Sequence, residues 1–130
     1  MAEHPNVTLV RRGFEAFNAG DIATLTEMIA TDAIQHMPGD NQLSGEHKGR
    51  DSILAMYGQM AELTNGTLRV DLEHVYANDH RAVAVYRAHG TRHGRMVEEK
   101  HALVFEIMDG KSIDMDDIAL EGRVDDAFWS

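Results

Sequence analysis

Five titratable side chains in this chain are placed where they could do chemistry: His36 just ahead of Pro38-Gly39, and Arg87, His89, His101 and Asp117 among the alternating apolar residues of the second half. Successive side chains of a strand point to opposite faces, so a residue two positions from an inward apolar one also points inward. If Leu103 and Phe105 face a core, so does His101; if Ile113 and Met115 do, so does Asp117; and Val85 brings Arg87 and His89 with it. A carboxylate, a guanidinium and two imidazoles inside an apolar pocket are costly unless they pair with one another or serve a ligand. The chemistry open to them is acid/base. Asp117 or His36 takes a proton next to a carbonyl and the other returns one, as ring closure, dehydration or double-bond migration requires. Arg87 would then stabilise the developing enolate oxygen. A tight Arg87–Asp117 ion pair is the competing arrangement; it would keep Asp117 ionised and serve the fold alone.

Eight histidines invite a metal reading, and His89 with His93 has the spacing of a helical ligand pair. The context is wrong for one, because both fall in a strand and its turn, Gly90 and Gly94 flank them, and no Glu accompanies them. Metal chemistry through His36, His89 and His101 is kept as a third reading, and no metal or cofactor is expected. There is no P-loop, no G-x-G-x-x-G after a strand and no G-x-S-x-G elbow. With no cysteine, disulfides, thiolate metal sites and cysteine nucleophiles are all excluded.

The elements that must position these groups follow from periodicity. Val7, Val10, Phe14 and Phe17 recur at helical spacing between Pro5 and Gly20, which predicts a helix over about 5–19. Asp21 caps a second helix with the stripe Ile22, Leu25, Met28, Ile29, ending near Ala30 and running into a strand that delivers His36. After a polar loop from Gly39 to Gly49, Ile53, Met56, Tyr57, Met60 and Leu63 form a third stripe, the last helix of the core, broken at Asn65-Gly66. From Thr67 the period becomes two, with turns at Asn78-Asp79, His93-Gly94 and Asp109-Gly110. Strands are expected over 67–77, 81–92, 95–108 and 112–121, with both ends of the chain free. Helices first and an antiparallel meander after is an α+β pattern in which a curved sheet wraps three helices around an apolar cavity. Met28, Met37, Met56, Met60 and Met115 give such a cavity adaptable walls, although methionine also serves as plain core filler.

A chain of 130 residues, 43% hydrophobic, fits one domain over 1–130. No apolar run approaches a membrane span, and Met1-Ala2-Glu3-His4 has no leader pattern, so a cytoplasmic protein is expected. A formal charge of -10 opposes binding to nucleic acid or to an anionic membrane.

Several stretches together resemble the nuclear transport factor 2-like fold and, within it, the SnoaL-like polyketide cyclases: F-N-A-G-D at 17–21, A-I-Q-H-M-P-G at 33–39, G-R-D-S-I at 49–53, F-E-I-M-D-G-K at 105–111 and D-D-A-F-W-S at the end. Ketosteroid isomerases and limonene epoxide hydrolases are more distant relatives. The resemblance implies a cone of three helices on a curved sheet, and it leaves the reaction open, because this fold hosts isomerases, cyclases, hydrolases and binding modules. The isomerases' oxyanion-hole Tyr, base Asp and protonated Asp fall on Gly13, Met37 and Leu103, none of which can replace them. The epoxide hydrolases' activating Arg and Asp fall on Val85 and Arg87, and their remaining Asp on Asp117. That last-strand Asp is also the acid or base of the cyclases, with Asp116 as the neighbour one residue out of register. Q-H-x-P at 35–38 is similar to the cyclases' first-strand motif and implies a role for His36. Their penultimate-strand His falls on Leu103, two residues from His101. Tyr57 matches a pocket-lining Tyr of the isomerases.

The resulting expectation is an acid/base enzyme acting on a small hydrophobic carbonyl compound through Asp117, His36 and His101. Arg87, Tyr57 and His89 would contact the ligand, with Phe14, Phe17, Met28, Met37, Met60, Leu103 and Met115 as apolar walls. The alternative is a non-catalytic module that binds a hydrophobic ligand or pairs through its sheet. The resemblance implies a homodimer formed by that sheet face.

Overall fold

The structure, a computed structural model, describes residues 3–130. Met1 and Ala2, part of the end expected to be free, lie outside the described residues.

Helix α1 spans Pro5–Ala19. The His4 ring accepts the Asn6 N–H at 3.0 Å at its start, and Gly20 ends it in the left-handed region at φ 68°. Asp21 caps α2, Ile22–Met28, by accepting the Thr24 N–H at 3.1 Å and its hydroxyl at 2.6 Å. This helix stops two residues earlier than expected, because Ile29 already opens β1, Ile29–Met37. The polar loop holds an element that its composition hides: β2, Gly45–Lys48, pairs antiparallel with β1. Helix α3 is Arg50–Leu63, and positive φ at Asn65 and Gly66 terminates it. Strands β3, Arg69–Ala77, β4, Arg81–Arg92, β5, Arg95–Met108, and β6, Lys111–Ala119, follow as an antiparallel meander. Both residues of His93-Gly94 and of Asp109-Gly110 have positive φ, the geometry that matches strand twist in a tight hairpin.

The sheet has six strands in the order β2-β1-β6-β5-β4-β3. It is not wholly antiparallel, since β1 pairs parallel with β6. Period-two patterning shows which face a residue takes, and carries no information on strand direction. Helices α1 and α3 cover one face, with Phe14 edge-on to Tyr86 at 5.2 Å between ring centroids.

The face assignment differs from expectation on β4. Ala82, Ala84 and Tyr86 are buried under the helices, while Val83, Val85, Arg87 and His89 take the outer face. Both parities of this strand are apolar, and the one carrying small residues lies where α1 approaches closely. On β6 the register skips Ile113, as Glu106 pairs with Asp114 and Ile107 with Ser112. This bulge turns Ser112, Met115 and Asp117 all inward and leaves Asp116 exposed outside.

The C-terminus is docked rather than free. Asp125 caps α4, Asp126–Trp129, and Phe128 and Trp129 are buried. The Phe128 carbonyl accepts from Arg92 at 2.9 Å, and that of Trp129 from Gln42 at 2.6 Å. Asp126 Oδ1 accepts from the Asp40 N–H at 2.7 Å and from Asn41 at 2.9 Å. Gly39 has φ 94°, and a Cβ there would stand 2.5 Å from that same oxygen, so the loop can sit against the tail only with glycine. No helix among the described residues is long and apolar enough to cross a membrane.

Candidate functional site

Three neighbouring strands carry the polar centre on their inner face. Tyr86 on β4 pairs in register with His101 on β5, and Asp117 on β6 sits opposite Leu103, diagonal to His101. The Tyr86 and His101 rings stack at 5.6 Å. His101 Nδ1 lies 2.6 Å from Asp117 Oδ1, and Nε2 lies 2.8 Å from Glu99 Oε1. The Tyr86 hydroxyl donates to the other oxygen of Asp117. Glu99 is held in turn, its second oxygen accepting the Asp125 N–H at 2.5 Å.

With a carboxylate at each nitrogen, the imidazole of His101 donates from both. Burial opposes its charge, yet the hydrogen bonds and charges of Asp117 and Glu99 outweigh that and raise its pKa from 6.5 to about 9. The Tyr86 hydroxyl is pushed well above its ordinary pKa by burial and then by the Asp117 charge. Burial raises Tyr57 as well, and the Asp117 charge adds to it. Both phenols are therefore neutral donors throughout the working pH range.

The network borders a cavity of about 90 Å³, counting positions open to the centre of a water molecule. Phe14, Phe17, Met28, Met37, Met60, Leu103 and Met115 are among its apolar walls, and Tyr57 lines it too. Its other polar groups are Gln35, Tyr86, Ser112 and Asp117. Met56 packs instead in the core under Phe128. A second chamber of about 50 Å³ shares Met37, Met60, Val70, Tyr86 and Asp117 with the first, and continues to His101, Glu99, Leu68 and Trp129.

Three residues expected at the site are elsewhere. His36 takes the outer parity of β1, 3.3 Å from Asp114 and 3.6 Å from Glu46, because Ala33, Gln35 and Met37 hold the inner one. Arg87 is outside, 3.2 Å from Glu98 and 3.9 Å from Glu73, and His89 is 2.7 Å from Asp71. The Arg87–Asp117 pair is therefore not formed, and Arg87 does not reach an enolate in the cavity. His36, His89 and His101 do not converge, and among the described residues no group of three or more His, Cys, Asp or Glu is arranged to hold a metal ion.

Sequence reasoning missed Tyr86, Glu99 and Gln35 as site residues. For Tyr86 the signal was present in Ala82-x-Ala84-x-Tyr86-x-Ala88-x-Gly90, a line of small residues suited to a close helix, against the bulkier valines. Glu99 shares the parity of His101 and followed from it. Gln35 stood in the quoted Q-H-x-P stretch beside the histidine that drew attention instead.

Comparisons with known proteins agree with this architecture. The family model for the SnoaL-like domain matches residues 10–115. An uncharacterized protein of Mycobacterium tuberculosis (strain ATCC 25618 / H37Rv) is 33% identical over 131 residues, covering 100% of both chains. The solved structure of Bal32a, from a soil-derived mobile gene cassette, superposes with a TM-score of 0.93 at 36% identity and covers 97% of each chain. IdmH of Streptomyces antibioticus, a candidate polyketide cyclase, shares the fold with a TM-score of 0.75 at 22% identity, covering 92% of this chain and 94% of its own. A cavity between helices and a curved sheet, the matched segment and a full-length relative all lead to one assignment: the chain belongs to the SnoaL-like domain family, with the nuclear transport factor 2-like fold.

Proposed function

We propose that this SnoaL-like pocket protein is an acid/base enzyme of the cyclase, isomerase or dehydratase type, acting on a small apolar carbonyl compound with Asp117 as the proton-exchanging group. One observation carries the reading: among the described residues lining the first chamber, Asp117 is the single carboxylate, in walls that are otherwise apolar or neutral. A carboxylate offers about four lone-pair sites. His101 and Tyr86 take one on each oxygen, which leaves positions for a proton from the ligand.

His101 gives the step an outlet. When Asp117 accepts a proton, the negative charge that holds the imidazolium disappears, and His101 can release its own proton towards Glu99. The proton taken from the ligand stays on Asp117 while a second proton passes from His101 Nε2 to Glu99, and the reverse transfers restore both. The Arg87 first expected to meet the developing oxyanion lies outside the cavity, and the single hydroxyl protons of Tyr57 and Tyr86 are committed to Gln35 and Asp117.

Complete pairing of the network favours a second reading, a non-catalytic module for hydrophobic ligands. Small ketones in D₂O separate the two. The enzyme reading requires catalysed exchange of protons next to the carbonyl, abolished in Asp117→Asn; binding with no catalysed exchange by the native protein would reject it. For the partner, we propose a homodimer through the outer sheet face, where Ile118 is 45% exposed; light scattering that returns the monomer mass would dismiss it.

A further inference from the structure

Gln35 is an inward residue of β1 and only 3% exposed, next in register to Met115. Its carbonyl oxygen is occupied, since Oε1 accepts the Tyr57 hydroxyl at 2.5 Å. Its amide nitrogen has two protons to give, and its partner among the described residues is the Met37 thioether at 3.4 Å. A thioether is a weak acceptor. A buried amide would normally fill its donors, because leaving one unmade costs about 1–3 kcal/mol. Here the poorly satisfied N–H₂ belongs to a residue that lines the first chamber.

Tyr57 decides which end of the amide faces which way. A phenol hydroxyl needs an acceptor, and Gln35 Oε1 provides it; the flipped amide would set that oxygen against the Met37 sulfur and leave the hydroxyl without an acceptor. Phe17 holds the Tyr57 ring edge-on at 5.3 Å, so the phenol is itself braced.

We infer that Gln35 is the oxygen-binding residue of the cavity, its amide N–H₂ receiving an acceptor-only oxygen of the ligand, and that Tyr57 is the positioning residue that aims it. The inference deepens the reading of the cavity as a site for an apolar carbonyl compound and rests on it. With Oε1 turned to the Tyr57 hydroxyl, the amide offers the ligand its donor end, which suits a carbonyl oxygen. The bond to Nε2 strengthens as charge develops on that oxygen, and Gln35 transfers no proton itself.

The test compares acetophenone with α-methylstyrene, which has nearly the same shape and a methylene in place of the oxygen. The native protein should bind the ketone about 5- to 150-fold more tightly, the equivalent of an unmade buried donor at about 1–3 kcal/mol. Gln35→Met should remove the preference and keep affinity for the alkene. Tyr57→Phe should reduce the ketone-to-alkene ratio, a quantity that general structural damage, lowering both affinities, would not move. In the native protein, the side-chain amide NMR signals of Gln35 should shift with acetophenone and stay in place with α-methylstyrene, which covers the case of a variant that fails to fold. Equal native affinities, an unchanged ratio in Gln35→Met, or amide signals indifferent to the ketone would overturn the inference. Those results leave Asp117-dependent proton exchange standing, whereas a protein that binds neither probe loses both proposals.

Discussion

His101 Nδ1 stands 2.6 Å from Asp117 Oδ1 inside the sheet, so the pair is charged in the native state and absent from an unfolded chain. The folded pKa of His101, about 9, lies above the ordinary 6.5. A raised pKa stabilises the fold where the unfolded histidine is also protonated: the contribution is complete below about 6.5 and is lost as pH rises through about 9. NMR titration of the His101 ring should give a midpoint near 9. Unfolding temperature should fall between pH 7 and pH 10, and His101→Gln should flatten that fall. In Asp117→Asn the midpoint should drop further than in Glu99→Gln, because Asp117 makes the leading favourable contribution and Glu99 the next.

His36→Ala should leave proton exchange and ligand affinity within twofold of native, and so should Arg87→Met. Both residues lie on the outer face, His36 against Asp114 and Arg87 against Glu98. Exposed ion pairs contribute about 0–1 kcal/mol, so the expected change in urea midpoint is small. A tenfold loss of exchange in His36→Ala, measured at constant stability, would return this histidine to the chemistry.

The contrast between His36 and His101 shows what patterning can decide. On β5 the exposed Glu106 stands between the buried Phe105 and Ile107, so the inner parity was legible at that end and His101 followed from it through Leu103. On β4 alternating Ala and Val made both faces apolar, and the choice turned on how close α1 comes, which depends on tertiary packing. On β1 the attention-drawing histidine sat one residue from the glutamine that faces the cavity. The helices and hairpins were readable from caps, stripes and positive-φ turn residues, all local signals. The parallel pairing of β1 with β6, the short β2 and the docked tail depend on contacts distant in sequence, and no local pattern announces them.

Phe128→Ala should destabilise the protein by about 3–5 kcal/mol, the usual range for truncating a buried aromatic. Phe128 is 1% exposed and packs edge-on to Trp129 at 4.9 Å. Trp129 is the chain's single tryptophan and lines the second chamber, so intrinsic fluorescence reads this region alone. The native emission should be that of a buried indole and should move to longer wavelength in Phe128→Ala. Unchanged emission and an unchanged urea midpoint would mean that the tail is not docked in solution.

Tyr86→Phe separates holding the base from acting on the ligand. The substitution preserves the ring that stacks on His101 and meets Phe14, and removes only the hydroxyl that donates to Asp117. A hydrogen bond to a buried charged group contributes about 1.5–3 kcal/mol, so the urea midpoint should fall by that equivalent. His101 still binds the other carboxylate oxygen, so Asp117 keeps its place and its charge. Proton exchange at small ketones should then change by less than tenfold, in contrast to its abolition in Asp117→Asn. If exchange vanished in Tyr86→Phe while His101 still titrated near 9, the hydroxyl would be the group that meets the ligand oxygen, and Asp117 alone would not account for turnover.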